Sequence, residues 1–558
     1  MIPLDRRRFL ELAGLGALSV AGGGLLAGCG DAKTSSGPGT TDKSQLAQLL
    51  PAYVAAELVK PDIPSVEGAN GFFSAPAFLS YPASPVTTST GVPGKGGSYT
   101  TMTPLWGAIP SSSGNAYYNA VDQALGAKLK LQPSDGTNYD KVLPTLFAGN
   151  KLPDWTQIPS WNMLNLGFSD AVSKFADLGP YLSGDAVKAY PNLAAIPSSA
   201  WQCCIWNGKL YGLPVYYSGA TIAGTMFYRK DLLEKEGINP DEIKTPTDLE
   251  ALGKQLTSAS AGRWAFDDFF DYLGQVFKFP AEPNRWKIDA SGKIIHRYEM
   301  PELVEALNWF QKQAKAGYVH PDALADNSQG GKQRFWSGKV AITGDGTGAW
   351  KGDDAKSGMA ANPTYNRQAF KLLSVDGKPQ VEMNPSAGMY SFLNAKLSAD
   401  QIKECLSIAN YLAAPYGSAE YLTVNFGVAG TDYTMTDGNP VLTERGSKEV
   451  ATAYQFLVTP LVPTTPVAGQ TQVAKDYAAW EADMVKYAVK PAFYGMNVTE
   501  PTQYAKINQP MVDVIKDVRY GRKPISAYQE ALKTWQSQGG NALRTFYEDI
   551  RTKYGTGQ

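Results

Sequence analysis

From Tyr99 onward the hydrophobic positions alternate between two periods. Tyr99 to Trp106 reads as a strand, Asn115 to Leu125 repeats at helical spacing, Lys128 to Gln132 is extended, Tyr139 to Ala148 is helical and Asp154 to Ile158 is extended again. This is a βαβαβ opening. The pattern restarts at Ile222 to Arg229, a strand, and Thr245-Pro246 ahead of Leu249, Leu252 and Leu256 supplies a cap, a first-turn proline and an apolar stripe. A further helix opens at Pro301, carries Leu303, Val304, Leu307 and Phe310 and stops at Gly317, and Gly338 to Gly344 reads as a strand. Ser398 and Gln401 form a capping box before Ile402, Cys405, Leu406, Ala409 and Leu412. The chain from Gln509 is helical, with Ser526 and Gln529 as another capping box and Leu543, Phe546, Tyr547 and Ile550 repeating before Gly555. Strands alternating with helices in two separate stretches predict an α/β fold with two units.

The first residues follow different rules. Arg6, Arg7 and Arg8 precede Phe9 and Leu10, and from Leu12 to Gly28 the chain is uncharged but interrupted by glycines, too weakly apolar to span a bilayer. Residues 1–28 read as an export signal, and Arg6-Arg7-Arg8-Phe9-Leu10 resembles the twin-arginine address. Leu26-Ala27-Gly28-Cys29 resembles a lipobox, in which the Cys29 thiol takes the lipid. Gly30 to Lys43 is Gly, Ser, Thr and Asp with almost nothing apolar, so 29–48 reads as a flexible tether. Acyl chains contribute about 0.8 kcal/mol per buried methylene, enough to hold a domain at a membrane without a transmembrane helix.

Composition narrows the function. With 51 basic against 52 acidic residues and no basic block beyond the signal, the chain lacks the electrostatics of a nucleic-acid surface. At 43% hydrophobic and 11% aromatic it has ample material for two cores. Cys203, Cys204 and Cys405 imply no disulfide framework, and Cys405 reads as core.

Several ordered pieces resemble one family. They are Phe147-Ala148-Gly149 with Leu152-Pro153-Asp154; Asn207-Gly208-Lys209-Leu210-Tyr211-Gly212-Leu213-Pro214; Met226-Phe227-Tyr228-Arg229-Lys230-Asp231-Leu232-Leu233 through Gly237-Ile238; Gly338-Lys339-Val340-Ala341; and Trp535 to Tyr554 with Gly539-Gly540. In this order, behind a lipobox, the chain is similar to the extracellular solute-binding proteins of bacterial ABC importers, of the large carbohydrate-binding lipoprotein type. The resemblance implies a type II periplasmic-binding-protein-like fold, with hinged lobes and a ligand cleft between them. It places 49–215 and 380–446 in lobe 1 and 216–379 and 447–558 in lobe 2. It also implies a monomer anchored outside the cell membrane that hands a sugar or oligosaccharide to separate permease subunits.

A sugar offers apolar C–H faces to aromatic planes and hydroxyls to carboxylates and amides. Ligand contacts in α/β folds gather past strand ends, which selects Trp106, Trp161, and Tyr216 and Tyr217 at the presumed crossing between lobes. Trp264 with Asp267 and Asp268, Asp345 and Trp350 around a glycine-rich loop, and Tyr390 after a Pro-Ser-Ala-Gly turn complete the expected set. Trp309 and Trp535 read as packing. Gly344-Asp345-Gly346-Thr347-Gly348 lacks the Lys of a phosphate loop, and Asp322, Asp326 and Asn327 lack the ligand series of a calcium loop, so no cofactor or metal is expected. The rival classes are a carbohydrate-active enzyme using two carboxylates, a scaffold module, and a binder of peptides or another polar solute. His296 and His320 are the only histidines and no catalytic set accompanies them, which argues against an enzyme.

Overall fold

The computed structural model describes residues 43–556 apart from 57, 217–219, 223, 282–284, 328–329, 460–462, 468, 499 and 505. The expected signal, most of the tether, Cys29 and Tyr217 lie outside the described residues. Strand β1 (Ser98–Met102) leads to helix α1 (Ala116–Leu125), β2 (Lys128–Leu131), α2 (Tyr139–Ala148), β3 (Trp155–Pro159), α3 (Ser160–Leu166) and β4 (Gly212–Tyr216). The expected βαβαβ start is therefore present, and the Asn115 side chain caps α1 by accepting from the Tyr118 N–H. A second series follows: β5 (Gly224–Arg229), α4 (Pro246–Leu256), β6 (Trp264–Phe266), α5 (Pro301–Lys315), β7 (Val340–Gly346) and β8 (Arg367–Ala369). The chain returns in β9 (Ala387–Leu393) and α6 (Ala399–Leu412), and closes with α7 (Thr471–Met484), α8 (Gln509–Arg519), α9 (Ile525–Trp535) and α10 (Asn541–Tyr554).

Two sheets result. The first is five-stranded in the order β2-β1-β3-β9-β4, with β1 parallel to β2 and β3, and β9 antiparallel to both β3 and β4. The second is four-stranded in the order β6-β7-β5-β8, with β6 parallel to β7, and β5 antiparallel to β7 and β8. Each sheet has its own core. Trp155, Phe175, Trp201 and Phe392 anchor the first, and the Trp155 indole N–H donates to Ser391 Oγ at 2.7 Å. Alternation along β5 divides the second lobe's packing, with Met226 and Tyr228 buried on one face of the sheet and Phe227 on the other, among Val340, Trp350, Tyr477 and Trp480. The first core also takes in Tyr454, Leu457 and Val458, so it runs past the expected boundary at 446.

Local signals explain several helix starts. Thr245 with Asp248 and Ser398 with Gln401 form reciprocal capping boxes. Ser526 with Gln529 does not: α9 begins at Ile525 on an extended Pro524, which leaves Ser526 inside the first turn. Trp535 is buried with its N–H on Asn508, and Cys405 is buried in the first core.

Neighbouring segments connect the lobes. β4 ends at Tyr216 beside Ala387 of β9, and Thr221 bridges Asn384, so the outgoing and returning chains run antiparallel. A third segment joins them where Val215 bridges Thr459. The stretch before β1 lies against both lobes. It bridges Gly184 at Pro51, reaches the second lobe where Asn70 donates to Ala488 O and the Ala75 N–H to Glu481, and returns to the first where the Tyr81 hydroxyl donates to Ser418 O.

Candidate ligand-binding site

Topology decides which sheet ends face one another. The chain enters the second lobe at Gly224, which pairs with Gly346, so the end of β7 carrying Asp345 and Gly346 is the end nearest the first lobe. The Thr347 hydroxyl confirms this by donating to Ile222 O on the crossing segment at 3.1 Å. In the first lobe, Pro159 at the end of β3 pairs with Met389 near the start of β9, so the C-terminal ends of β1 and β3 point toward the second lobe. The facing ends are thus the strand ends where α/β folds collect ligands.

On the first lobe these ends carry an indole pair. Trp106 follows β1, Trp161 opens α3 after β3, and their ring centroids are 6.0 Å apart at 53°. Phe456 supports Trp106 edge-on at 5.6 Å. Trp106 lies flat against Gly136, where a Cβ would come within 2.6 Å of the ring, so the bare glycine permits this seat. The two rings remain 36% and 54% exposed, although indoles of this size are normally covered. Beside Trp161, Asn162 Oδ1 is buried without a hydrogen-bond partner among the described residues, as is the whole Gln157 amide. Buried amides without partners are costly and mark a place that ordered water or a ligand completes. Tyr216, half-buried, ends β4 with its N–H on Thr459 O.

The second lobe contributes a polar rim. Asp345, at the end of β7, accepts from the Gly346 N–H at 2.8 Å and lies 3.6 Å from Arg367, with its side chain 29% exposed. Burial raises its carboxyl above the ordinary value, against the pull of Arg367. Arg367 is itself buried between the Phe227 and Phe335 rings, 4.9 Å from each, and holds Asp354 at 2.9 Å. Asp268 accepts from Arg519 at 2.7 Å and from the Tyr520 hydroxyl at 2.5 Å, and burial still raises it. Tyr272 crosses the rim over Gly344, where a Cβ would fall 2.1 Å from its ring.

Four expected residues serve the fold instead. Asp267 is buried and clamped by Arg334 through contacts of 2.6 and 3.0 Å. Trp264 begins β6, at the opposite end from the rim, and packs edge-on against His320 at 4.4 Å. Trp350, 2% exposed, is wedged among Phe227, Tyr477 and Trp480 because its position in the short helix Gly348–Lys351 turns it inward. Tyr390 lies mid-strand in β9, between Ile158 and Pro214, with its hydroxyl donating to Ala387 O. Asp326, set aside as a cation ligand, pairs with Lys516 at 2.8 Å.

A cavity of about 390 Å³ in the second lobe was missed. It begins at the rim with Gly224, Asp271 and Tyr272 and continues along Gln275, Phe279, Arg297, Glu382 and Asn384 to α8. Only Asp271 and Tyr272 left a signal, since they extend the polar aromatic run begun by Asp267.

Residues 116–438 match the family model of the bacterial extracellular solute-binding protein. The chain belongs to that family. This solute-binding protein is 22% identical over 480 residues to Lipoprotein LipO of Bacillus subtilis (strain 168), spanning 82% of the chain and 92% of the relative. It is 22% identical over 453 residues to the polygalacturonan/rhamnogalacturonan-binding protein YtcQ of the same organism, spanning 74% and 83%. Among solved structures, the S. pneumoniae ABC-transporter substrate binding protein FusA in complex with kestose aligns at TM-score 0.59 and 13% identity, over 82% of this chain and 99% of that one. That likeness establishes the two-lobed fold. Family membership makes the solute-binding protein a binder rather than an enzyme. Among the described residues no helix is long and apolar enough to cross a membrane.

Proposed function

We propose that this solute-binding protein captures a sugar or oligosaccharide outside the cell membrane, held there by lipid on Cys29, and passes it to the permease of an ABC importer. The observation that carries the reading is the exposed Trp106–Trp161 pair at strand ends facing the second lobe. Two tilted indoles suit the C–H faces of successive sugar rings, while Asp345 on the opposite rim suits their hydroxyls. The relatives agree in kind: one is called a lipoprotein, and two others are named or solved with saccharides. The Leu26-Ala27-Gly28-Cys29 pattern supports the anchor.

The test is a thermal-shift screen of the purified protein against mono-, di- and oligosaccharides, with amino acids and short peptides alongside. Binding to the folded state alone raises Tm, and one saccharide series is expected to do so without being consumed over hours. A rise with peptides only overturns the sugar, and turnover of the saccharide overturns the binding role. For the anchor, Cys29→Ser is expected to move the protein from the membrane fraction to the medium; retention in the membrane refutes lipidation at Cys29.

A further inference from the structure

The cavity behind Tyr272 has the makings of a second ligand contact. Its volume of about 390 Å³ falls within the range of small-molecule sites and exceeds what one sugar ring needs. Asp271 and Tyr272 belong both to the rim and to the cavity lining, so the space opens at the rim as well as beside the exposed Val512 of α8. Tyr272 and Phe279 supply aromatic wall, and Gln275 lines the same space while donating to Gly224 O at 2.7 Å.

Three cations in the lining are already engaged, Arg297 over the Phe279 ring at 5.3 Å and two in ion pairs. Arg519 is bound to Asp268 at 2.7 Å and Lys516 to Asp326 at 2.8 Å. The unmet need belongs to an acceptor, because Glu382 lines the cavity and its Oε2 has no hydrogen-bond partner among the described residues. Burial lifts this carboxyl to about 7 against Lys287 and Arg297, so near neutral pH it is a partly ionised acceptor that calls for a donor and disfavours a second anion. Glu382 also lies in the returning segment, in the short strand Val381–Glu382 paired with Ala488–Val489, so an occupant would touch the connection between the lobes.

We infer that this cavity takes a terminal, uncharged sugar ring of the captured saccharide, with a ring hydroxyl donating to Glu382. The inference rests on the saccharide reading above and adds to it a preference: neutral chains long enough to reach past Tyr272 bind best, and chains ending in a uronic acid bind poorly.

Isothermal titration of the purified protein with 1-kestose, mannopentaose and arabinotriose as neutral probes, and trigalacturonate as the acidic one, tests it. Wild type, Glu382→Gln, Val512→Trp and Trp161→Ala are compared. Val512 lines the cavity but is 46% exposed, so an indole there narrows the space without disturbing a core. At least one neutral probe is expected to bind wild type, to lose about tenfold in Glu382→Gln and in Val512→Trp, and to outbind trigalacturonate. Trp161→Ala failing while Glu382→Gln and Val512→Trp bind as wild type overturns the cavity and leaves the saccharide reading standing. Tighter binding of trigalacturonate than of every neutral probe likewise overturns only the cavity. No heat with any saccharide on wild type overturns both. Should Glu382→Gln fail to fold, Val512→Trp alone decides.

Discussion

Replacing Trp161 by alanine separates binding from stability. The indole is 54% exposed, so of the roughly 250 Å² a tryptophan can bury, about 130 Å² remains for a ligand. A sugar ring covering half of that removes about 65 Å² from water, worth ~1.6 kcal/mol at ~25 cal/mol per Å². Stacking geometry adds roughly 0.5 kcal/mol, and a total of about 2 kcal/mol corresponds to a loss of ~30-fold in Kd. The fold loses little, because the tilted contact with Trp106 at 6.0 Å is worth only about 1 kcal/mol in an exposed pair. The assay is isothermal titration with the saccharide that gives the largest thermal shift, paired with denaturant unfolding of the ligand-free protein. An affinity within twofold of wild type refutes the platform. A stability loss above about 3 kcal/mol also refutes it, since it would show that Trp161 is a packing residue despite its exposure.

Further outcomes follow from the same geometry. Trp350→Ala, which removes a side chain packed among Phe227, Tyr477 and Trp480, is expected to cost about 3–5 kcal/mol in denaturant unfolding. Gly344→Ala drives Tyr272 off the rim, since its Cβ would lie 2.1 Å from that ring; weaker saccharide binding by titration checks this. Burial lifts Glu481 from its ordinary value of 4.5 to about 7, against Lys351 and the Ala75 N–H, with the Tyr477 hydroxyl alongside. A carboxyl raised in the folded state contributes stability that is present below about pH 4.5 and lost as pH rises through about 7. That difference is worth ~3 kcal/mol, and Glu481→Gln is expected to flatten this part of the unfolding free energy measured against pH.

The end of β3 was readable from the sequence, and with it the place of Trp161. β3 ends within a residue of the expected Ile158, whereas β1 stops at Met102, four residues before the expected end at Trp106, and Trp161 and Trp106 follow those ends. Periodicity also found α1, α2, α5 and α6 to within a residue or two, because each carries an apolar stripe, to which α1 and α6 add a side-chain cap and α5 a first-turn proline. Trp350 and Tyr390 were misplaced for a common reason. Proximity to a glycine turn says nothing about which side of the next helix or strand is covered, and in both cases the covered side holds the ring. The capping box at Ser526 failed because Pro524 already supplies the extended residue a helix start requires. The cavity was out of reach. Its walls come from the start of β5, the turn after β6, the stretch around Arg297, the returning segment and α8, and only tertiary packing brings these together.

The arm before β1 has a mechanical consequence. It leaves the first lobe, grips the second at Asn70 and Ala75 and comes back at Tyr81, and Thr464 of the third segment meets it on the way, accepting the Phe78 N–H on its carbonyl. Lys351 of the second lobe fastens the same place, 3.3 Å from the Thr464 hydroxyl and 4.0 Å from the Tyr477 ring. Any rotation of one lobe on the other has to take up slack in this loop or peel it from Glu481. It therefore acts like the check strap on a door, setting how far the gap can widen without obstructing the doorway, and a load arriving from the N-terminal side is spread over both panels rather than hung on one.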